Sequence, residues 1–144
     1  MDPVRSDPEN KMEIEVFSIC DAATSDSGKL NILGAFDMMW VKKLPSTYHQ
    51  CAIAMRIRFY SQETGKHHIH LNILDPDGVP VIEPLKGDIN VMVPPGQSSS
   101  SVNLILNIQK LVIENVGTYS IEFTIEDERY HFIPLFVKMR TLNA

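Results

Sequence analysis

Apolar and polar residues alternate along most of the chain between positions 13 and 137, and segments of turn-forming residues separate the alternating runs. A period of two residues places apolar side chains on one face of a β-strand and polar side chains on the other. The runs, rich in β-branched and aromatic residues, span 13–20, 29–41, 50–60, 66–75, 88–93, 101–113, 118–127 and 129–137. The pattern predicts an all-β fold, an antiparallel β-sandwich of about eight strands with immunoglobulin-like or Greek-key topology.

Two segments carry more specific signals. In "DPDG" (75–78), Pro76 presets a turn and Gly78 accepts a positive φ. A calcium loop would need further acidic ligands, whereas "VPV" follows, so a turn is expected. In "ENVGTYSIEF" (114–123), Tyr119 is a candidate for a tyrosine corner, in which the phenol bonds upstream backbone. The alternative is a partly buried strand tyrosine without such a bond.

Length and composition fit a single domain of 144 residues, with a leader at 1–12, the sandwich at 13–139 and a short tail at 140–144. The leader lacks the apolar run of a signal peptide, so a cytoplasmic location is expected. No stretch approaches the roughly 20 apolar residues of a spanning helix, so no membrane partner is expected.

The net charge of −5 argues against nucleic acid as a partner. Cys20 and Cys51 are too few for a disulfide framework and lie in apolar runs. We therefore expect both to be buried free thiols.

Three histidines lie in "KHHIHLNILD" (66–75). If "SQETG" (61–65) closes a hairpin with the preceding run, Arg58 faces His68 and Arg56 faces His70. The four side chains then form either a solvated polar face, with Glu122 and Glu126 of a later run as acidic neighbours, or an anion-binding patch.

A metal site is the third possibility, because His68 and His70 project from one strand face. It needs at least one further ligand, for which His49 and His131 are distant candidates. Two adjacent guanidinium groups would weaken the binding of a divalent cation.

The second and last runs carry apolar residues on both faces. Such strands are either covered twice or exposed at an interface, and Pro134 indicates an edge or a bulge in the last one. The interface candidates are Leu33, Met39, Val41, Ile133 and Leu135. They predict self-association or an unidentified protein partner, with burial inside the sandwich as the alternative.

The sequence contains no nucleophile-elbow, P-loop, dinucleotide-binding or Cys-x-x-Cys signature. In "NILGAFD", Gly34 is more typical of a bulge or close packing inside a long strand than of phosphate binding.

The segments "CD" (20–21), "GKLNILGAFD" (28–37), "LDPDG" (74–78), "GTYSIEFTIED" (117–127) and "PLFV" (134–137) resemble a group of uncharacterised bacterial proteins that form a domain of unknown function. The resemblance spans about Val16 to Val137 and implies a compact intracellular β-sandwich of bacterial origin. It carries over no active-site residues.

We therefore predict a non-catalytic binding or assembly module of the bacterial cytosol, without a cofactor. The alternatives are a metal-dependent enzyme that uses His68 and His70, and an anion-binding protein that uses those histidines with Arg56 and Arg58.

Overall fold

The computed structural model describes residues 11–127 and 129–141, which form two packed β-sheets. The strands are β1 Glu13–Asp26, β2 Lys29–Phe36, β3 Met38–Val41, β4 Ser46–Tyr60, β5 Gly65–Leu74, β6 Leu85–Val91, β7 Ser99–Ile113, β8 Gly117–Ile125 and β9 Arg129–Met139. Their order is β2-β1-β4-β7 in the first sheet and β3-β9-β8-β5-β6 in the second. All of these pairings are antiparallel except that of β3 with β9. The predicted all-β sandwich is confirmed, with one strand more than expected.

The first residue of the sandwich core precedes β1. Met12 is buried, and its backbone N–H donates to the Glu63 carboxylate at 3.0 Å. The last residue of the predicted leader therefore packs with the domain, whereas leader residues 1–10 and tail residues 142–144 lie outside the described residues. In the part of the chain that the structure describes, no helix is long and apolar enough to span a membrane.

The core lies between the two sheets and follows the predicted alternation. On β4 every second residue from Cys51 to Phe59 points inward, and Ile121 and Phe123 on β8 oppose them from the second sheet. These side chains are essentially inaccessible to solvent, so β4 and β8 supply the centre of the core.

The run 29–41, expected to be one strand, is two strands in different sheets. The chain leaves the first sheet after Phe36, passes through Asp37 and enters the second sheet at Met38. There β3 runs parallel to β9, and Phe136 donates its N–H to the Asp37 carbonyl at 2.8 Å. Because the chain changes sheet, facing inferred by alternation from β2 does not extend into β3.

The predicted hairpin between the third and fourth runs is wrong. Its proposed loop contains a short 3-10 turn, Ser61–Glu63, that carries the chain from the first sheet to the second. β4 pairs with β1 and β7, while β5 pairs with β6 and β8. Alternation could not reveal this, because an apolar face points to the core in either arrangement.

The tyrosine corner is confirmed. The Tyr119 side chain is fully buried, and its phenol donates to the Asn115 carbonyl at 2.8 Å. Burial is the main cause of the raised pKa of this phenol. The bond stabilises the connection by which the chain passes from β7 in the first sheet to β8 in the second.

The predicted turn at 75–78 is also confirmed. Gly78 donates its N–H to the Asp75 carbonyl at 2.9 Å with a φ of 82°. The Asp75 carboxylate accepts bonds from the N–H groups of Asp77 and Val79 at 2.9 Å each, which is the local chemistry of an Asx turn.

Candidate functional site

Arg56 and Arg58 lie on the outer face of the first sheet, where both bind Glu15 of the neighbouring strand β1. The Arg56 Nε to Glu15 Oε1 distance is 3.2 Å, and Arg58 Nε lies 2.6 Å from Glu15 Oε2. The hydrogen bond from Arg58 is the main cause of the lowered pKa of Glu15. The expectation that Glu122 and Glu126 neighbour these arginines is wrong, because both lie on or just after β8 in the sheet that carries His68 and His70.

Arg56 also holds the β1–β2 hairpin over this face. Its guanidinium donates to the Gly28 carbonyl at 3.1 Å and to the Asn103 side chain at 2.9 Å. The Asn103 amide in turn donates to Ser25 Oγ at 3.1 Å. Ser25 and Gly28 belong to the tip of the hairpin. The hydrogen bonds of Arg56 on β4 and Asn103 on β7 therefore hold this tip against the sheet.

A small apolar cluster lies on the same face. Cys20, Ala52 and Ala54 are buried there, with Leu30 and Ile105 packed around them. The outer face of the first sheet is therefore a second, minor core, closed by the chain's own hairpin.

His68 and His70 lie on the outer face of the second sheet, opposite to the arginines across the sandwich. His68 Nδ1 is hydrogen-bonded to the Asp88 carboxylate, and His70 is the register partner of Lys86 and Thr124. The anion-binding site predicted from Arg56, Arg58, His68 and His70 is therefore not assembled, since its two halves belong to different sheets.

The weaker metal candidates are also dispersed. His49 is exposed on β4 of the first sheet, and His131 is half-buried on β9 of the second. Within residues 11–127 and 129–141, no group of three or more His, Cys, Asp or Glu side chains is placed to hold a metal ion.

His67, the first histidine of the cluster, makes structural contacts that could not be predicted from the sequence. Its ring stacks on Phe59 with centroids 5.3 Å apart. Its nitrogens contact the Glu63 carbonyl and the Glu126 carboxylate. His67 thus links the crossover after β4 to the end of β8.

The predicted interface set is wrong for most of its members. Met39, Val41 and Leu135 are buried in the main core, and Ile133 packs against that core. Only Leu33 is exposed, at 70%. The error has a physical cause: β3 and β9 both turn their odd-numbered residues inward, which leaves the even-numbered ones outside. The register of β8 with β9 could have revealed it, because the inward Phe123 pairs with residue 131.

The exposed aromatic residues of β9 are Tyr130 and Phe132. They are 52% and 60% exposed, and their ring centroids lie 5.7 Å apart. The Tyr130 phenol is hydrogen-bonded to the Glu122 carboxylate, which is the main cause of its raised pKa. Two large rings are thus held next to each other on the outer face of the second sheet.

The same strand has an unpaired edge. β3 pairs only with Phe136 to Met139, so among the described residues no strand lies beside the remainder of β9 on that side. The Phe136 N–H points toward β3, and the register with β8 is uninterrupted. The backbone groups of Tyr130 and Phe132 therefore point to the same open side, as does the carbonyl of Pro134, which confirms an edge at that proline.

A cleft opens where the chain crosses between the sheets. It has a volume of about 380 Å³ and is lined by Asp21, Gly34, Phe36, Trp40 and Tyr48, among others. The Asp21 carboxylate accepts a hydrogen bond from the Tyr48 phenol at 3.1 Å. Burial and this bond raise the pKa of Tyr48, and burial is the larger cause.

Gly34 explains how that carboxylate fits. A Cβ at position 34 would stand 2.5 Å from Asp21 Oδ2, and its φ of 69° favours glycine. The predicted close packing at Gly34 is confirmed, and the group that approaches is a carboxylate. The tilted pair of Phe36 and Tyr48 rings, with centroids 5.7 Å apart, forms an adjacent wall.

Both cysteines are buried free thiols, as predicted. Burial is the main cause of the raised pKa of Cys20, and it raises the pKa of Cys51 to about 11. Cys20 lies under the hairpin, whereas Cys51 belongs to the main core. Both thiols are poor nucleophiles at neutral pH.

Comparison with known proteins identifies a family for the sequence and similar folds among solved structures. A family model described as a family of unknown function (DUF6941) matches residues 15–138. No curated protein matches significantly.

Among solved structures, the chain is similar to part of a β-glucosidase from Listeria innocua, crystallised with isofagomine, at 10% identity and a TM-score of 0.51. The match covers 93% of this chain but only 17% of that enzyme. An immunoglobulin-like protein from Pseudomonas aeruginosa matches at 13% identity over 91% of this chain and 99% of its own, with a TM-score of 0.37. The β-glucosidase likeness supports the fold alone.

Proposed function

The chain belongs to this family of unknown function, and we propose that it is a non-catalytic assembly module that pairs with a second copy of itself along the last strand. The observation that carries the proposal is the open edge of β9 beside two exposed aromatic side chains. Natural proteins usually shorten, charge or cover such edges, because unpaired backbone groups recruit other strands.

The open edge of β9 can pair with the same edge of a second copy. An antiparallel pair of identical strands is symmetric about a two-fold axis, the commonest symmetry of homo-oligomers. If the axis passes beside Phe132, that residue exchanges two backbone bonds with Phe132 of the second copy. The Tyr130 N–H meets the Pro134 carbonyl of the second copy.

β3 and Pro134 limit the pairing. A longer paired segment would run into Asp37, which accepts the Phe136 N–H. Pro134 has no N–H to donate, so it removes one bond on each side. The expected interface is short, from 130 to 134, and the exposed rings add apolar burial to its few backbone bonds.

Sedimentation equilibrium across a wide concentration range tests the proposal. We expect a reversible shift from the 16.3 kDa monomer toward twice that mass as concentration rises. Phe132→Glu places like charges opposite each other at the axis and removes the ring contact, so we expect dimerisation to weaken at least about tenfold.

The matched control is Met92→Glu, a substitution of the same charge at an apolar side chain that is 77% exposed after β6. It should dimerise like the native chain. A native protein that stays monomeric throughout, or equal dimerisation of Phe132→Glu and the native chain, would contradict the proposal.

We also infer that the assembly works in the bacterial cytosol. The support is the pair of buried, unpaired thiols, since disulfides are rare in that reducing compartment. Fractionation of a bacterial cell that expresses the protein, followed by thiol alkylation, tests this. Recovery from the periplasm would contradict it.

A further inference from the structure

We infer that the cleft at the β2–β3 crossing binds an organic cation of the alkylammonium type, with Asp21 as its counter-ion and Trp40, Phe36 and Tyr48 as its aromatic wall. The cleft is distinct from the β9 edge, so this inference does not depend on self-association. Asp21 and Trp40 come from strands of different sheets.

The carboxylate is held in place but not neutralised. One oxygen of Asp21 accepts the Tyr48 phenol, and the other occupies the space that Gly34 leaves by lacking a Cβ. Within the described parts of the chain, no basic side chain lies within ion-pair distance of Asp21. A carboxylate has several acceptor positions, and the phenol uses only one of them.

The aromatic wall favours a large, weakly hydrated cation. Ring faces attract cations within about 6 Å of the centroid, and aromatic cages use this attraction to bind quaternary ammonium groups. The Arg140 guanidinium lies 5.6 Å from the Trp40 ring centroid, so a bound cation would use the other face of this ring or displace Arg140. Phe36 and Tyr48 add two further rings.

Other ligand classes fit this cleft less well. An anion would meet the Asp21 carboxylate and a protein of net charge −5. A small metal ion needs several converging oxygen or nitrogen ligands, whereas apolar and aromatic side chains together make up most of the lining of this cleft. A volume of about 380 Å³ accommodates a trimethylammonium group or the end of a modified lysine side chain.

The single tryptophan of the chain makes the test direct, because intrinsic tryptophan fluorescence then reports on Trp40 alone. The purified full chain is titrated with choline and, separately, with its neutral carbon isostere 3,3-dimethylbutan-1-ol at constant ionic strength. We expect choline to shift the emission and to bind at least about tenfold more tightly than the isostere. Equal responses to the two compounds would overturn the inference.

Asp21→Asn is the diagnostic variant. Its amide oxygen can still accept the Tyr48 phenol, so the shape of the cleft is kept while the charge is removed. We expect choline affinity to fall about tenfold, with thermal unfolding as the check on folding. Asp77→Asn makes the same charge change in the exposed turn at 75–78 and should bind like the native chain. Native affinity in Asp21→Asn would contradict the role of the carboxylate.

A second probe identifies the source of the cation. A capped peptide with a central trimethyllysine presents the same chemical group as choline on a polypeptide. Binding at least tenfold tighter than that of choline would assign the cleft to a modified protein tail, and weaker or equal binding would assign it to a free small molecule. Failure of both probes would overturn the inference and leave the β9 proposal intact.

Discussion

The two outer faces of this sandwich arise from the same alternation of apolar and polar residues, but one is covered by a hairpin and the other is exposed to solvent. On the first sheet, the β1–β2 hairpin folds over Ala52 and Ala54 and is fastened by Arg56. On the second sheet, Tyr130 and Phe132 project into solvent beside an edge of β9 that no strand of the described residues covers. One face is covered by the chain's own hairpin, and the other exposes its aromatic side chains to solvent.

The difference depends on side-chain size as much as on polarity. Alanines on β4 leave room for a hairpin to approach closely, and an arginine beside them supplies donors for the backbone of its tip. Large rings on β9 would keep any such hairpin at a distance. Arg56 and Arg58, predicted as anion ligands, therefore have a structural role.

The largest expected effect on the free energy of unfolding comes from placing a larger side chain beneath the β1–β2 hairpin. Ala54→Leu adds three heavy atoms to a fully buried site between β1 and β7, so we expect a loss of about 1–3 kcal/mol in the free energy of unfolding. Thr124→Leu on the outer face of β8 should change it by less than about 0.5 kcal/mol. Urea denaturation measures both, and equal effects would remove the distinction between the two faces.

A smaller loss of stability is expected when the hydrogen bonds that hold the β1–β2 hairpin are removed. Arg56→Gln loses donors to Gly28, Asn103 and Glu15, which we expect to cost about 1 kcal/mol. Lys86→Gln removes the same charge from the open face and should be close to neutral. If the two variants unfold at the same urea concentration, Arg56 does not hold the hairpin.

The smallest expected effect on the free energy of unfolding comes from Glu15, and it depends on pH. The pKa of Glu15 is lowered in the folded state, so its pairing with the arginines stabilises the fold above the unfolded pKa and is lost as pH falls through the folded one. Glu15→Gln should therefore be about 0.5 kcal/mol less stable than the native chain at pH 7. The difference should shrink as pH falls below the unfolded pKa of Glu15 and vanish once this carboxyl is protonated in the folded state, and a constant difference over that range would contradict the ion-pair account.

Most strand positions, the core facing of β4, β5 and β8 and the tyrosine corner could be predicted from the sequence, because alternation and turn chemistry are local. Strand partners could not. The crossover at Ser61–Glu63 and the change of sheet at Asp37 leave the period of two intact, so alternation alone predicts that Arg58 faces His68 and that Met39 lies at an interface. The cleft was missed for the same reason: Asp21 and Trp40 meet only through the folded topology.

Backbone amide hydrogen exchange, compared between dilute and concentrated protein, tests most directly whether the open face is the one that assembles. We predict that the amides of Tyr130 and Phe132 exchange rapidly when dilute and become protected at high concentration, while those along the edge of β7 do not change. Concentration-dependent protection along β7 or over the β1–β2 hairpin, with none on β9, would contradict the account.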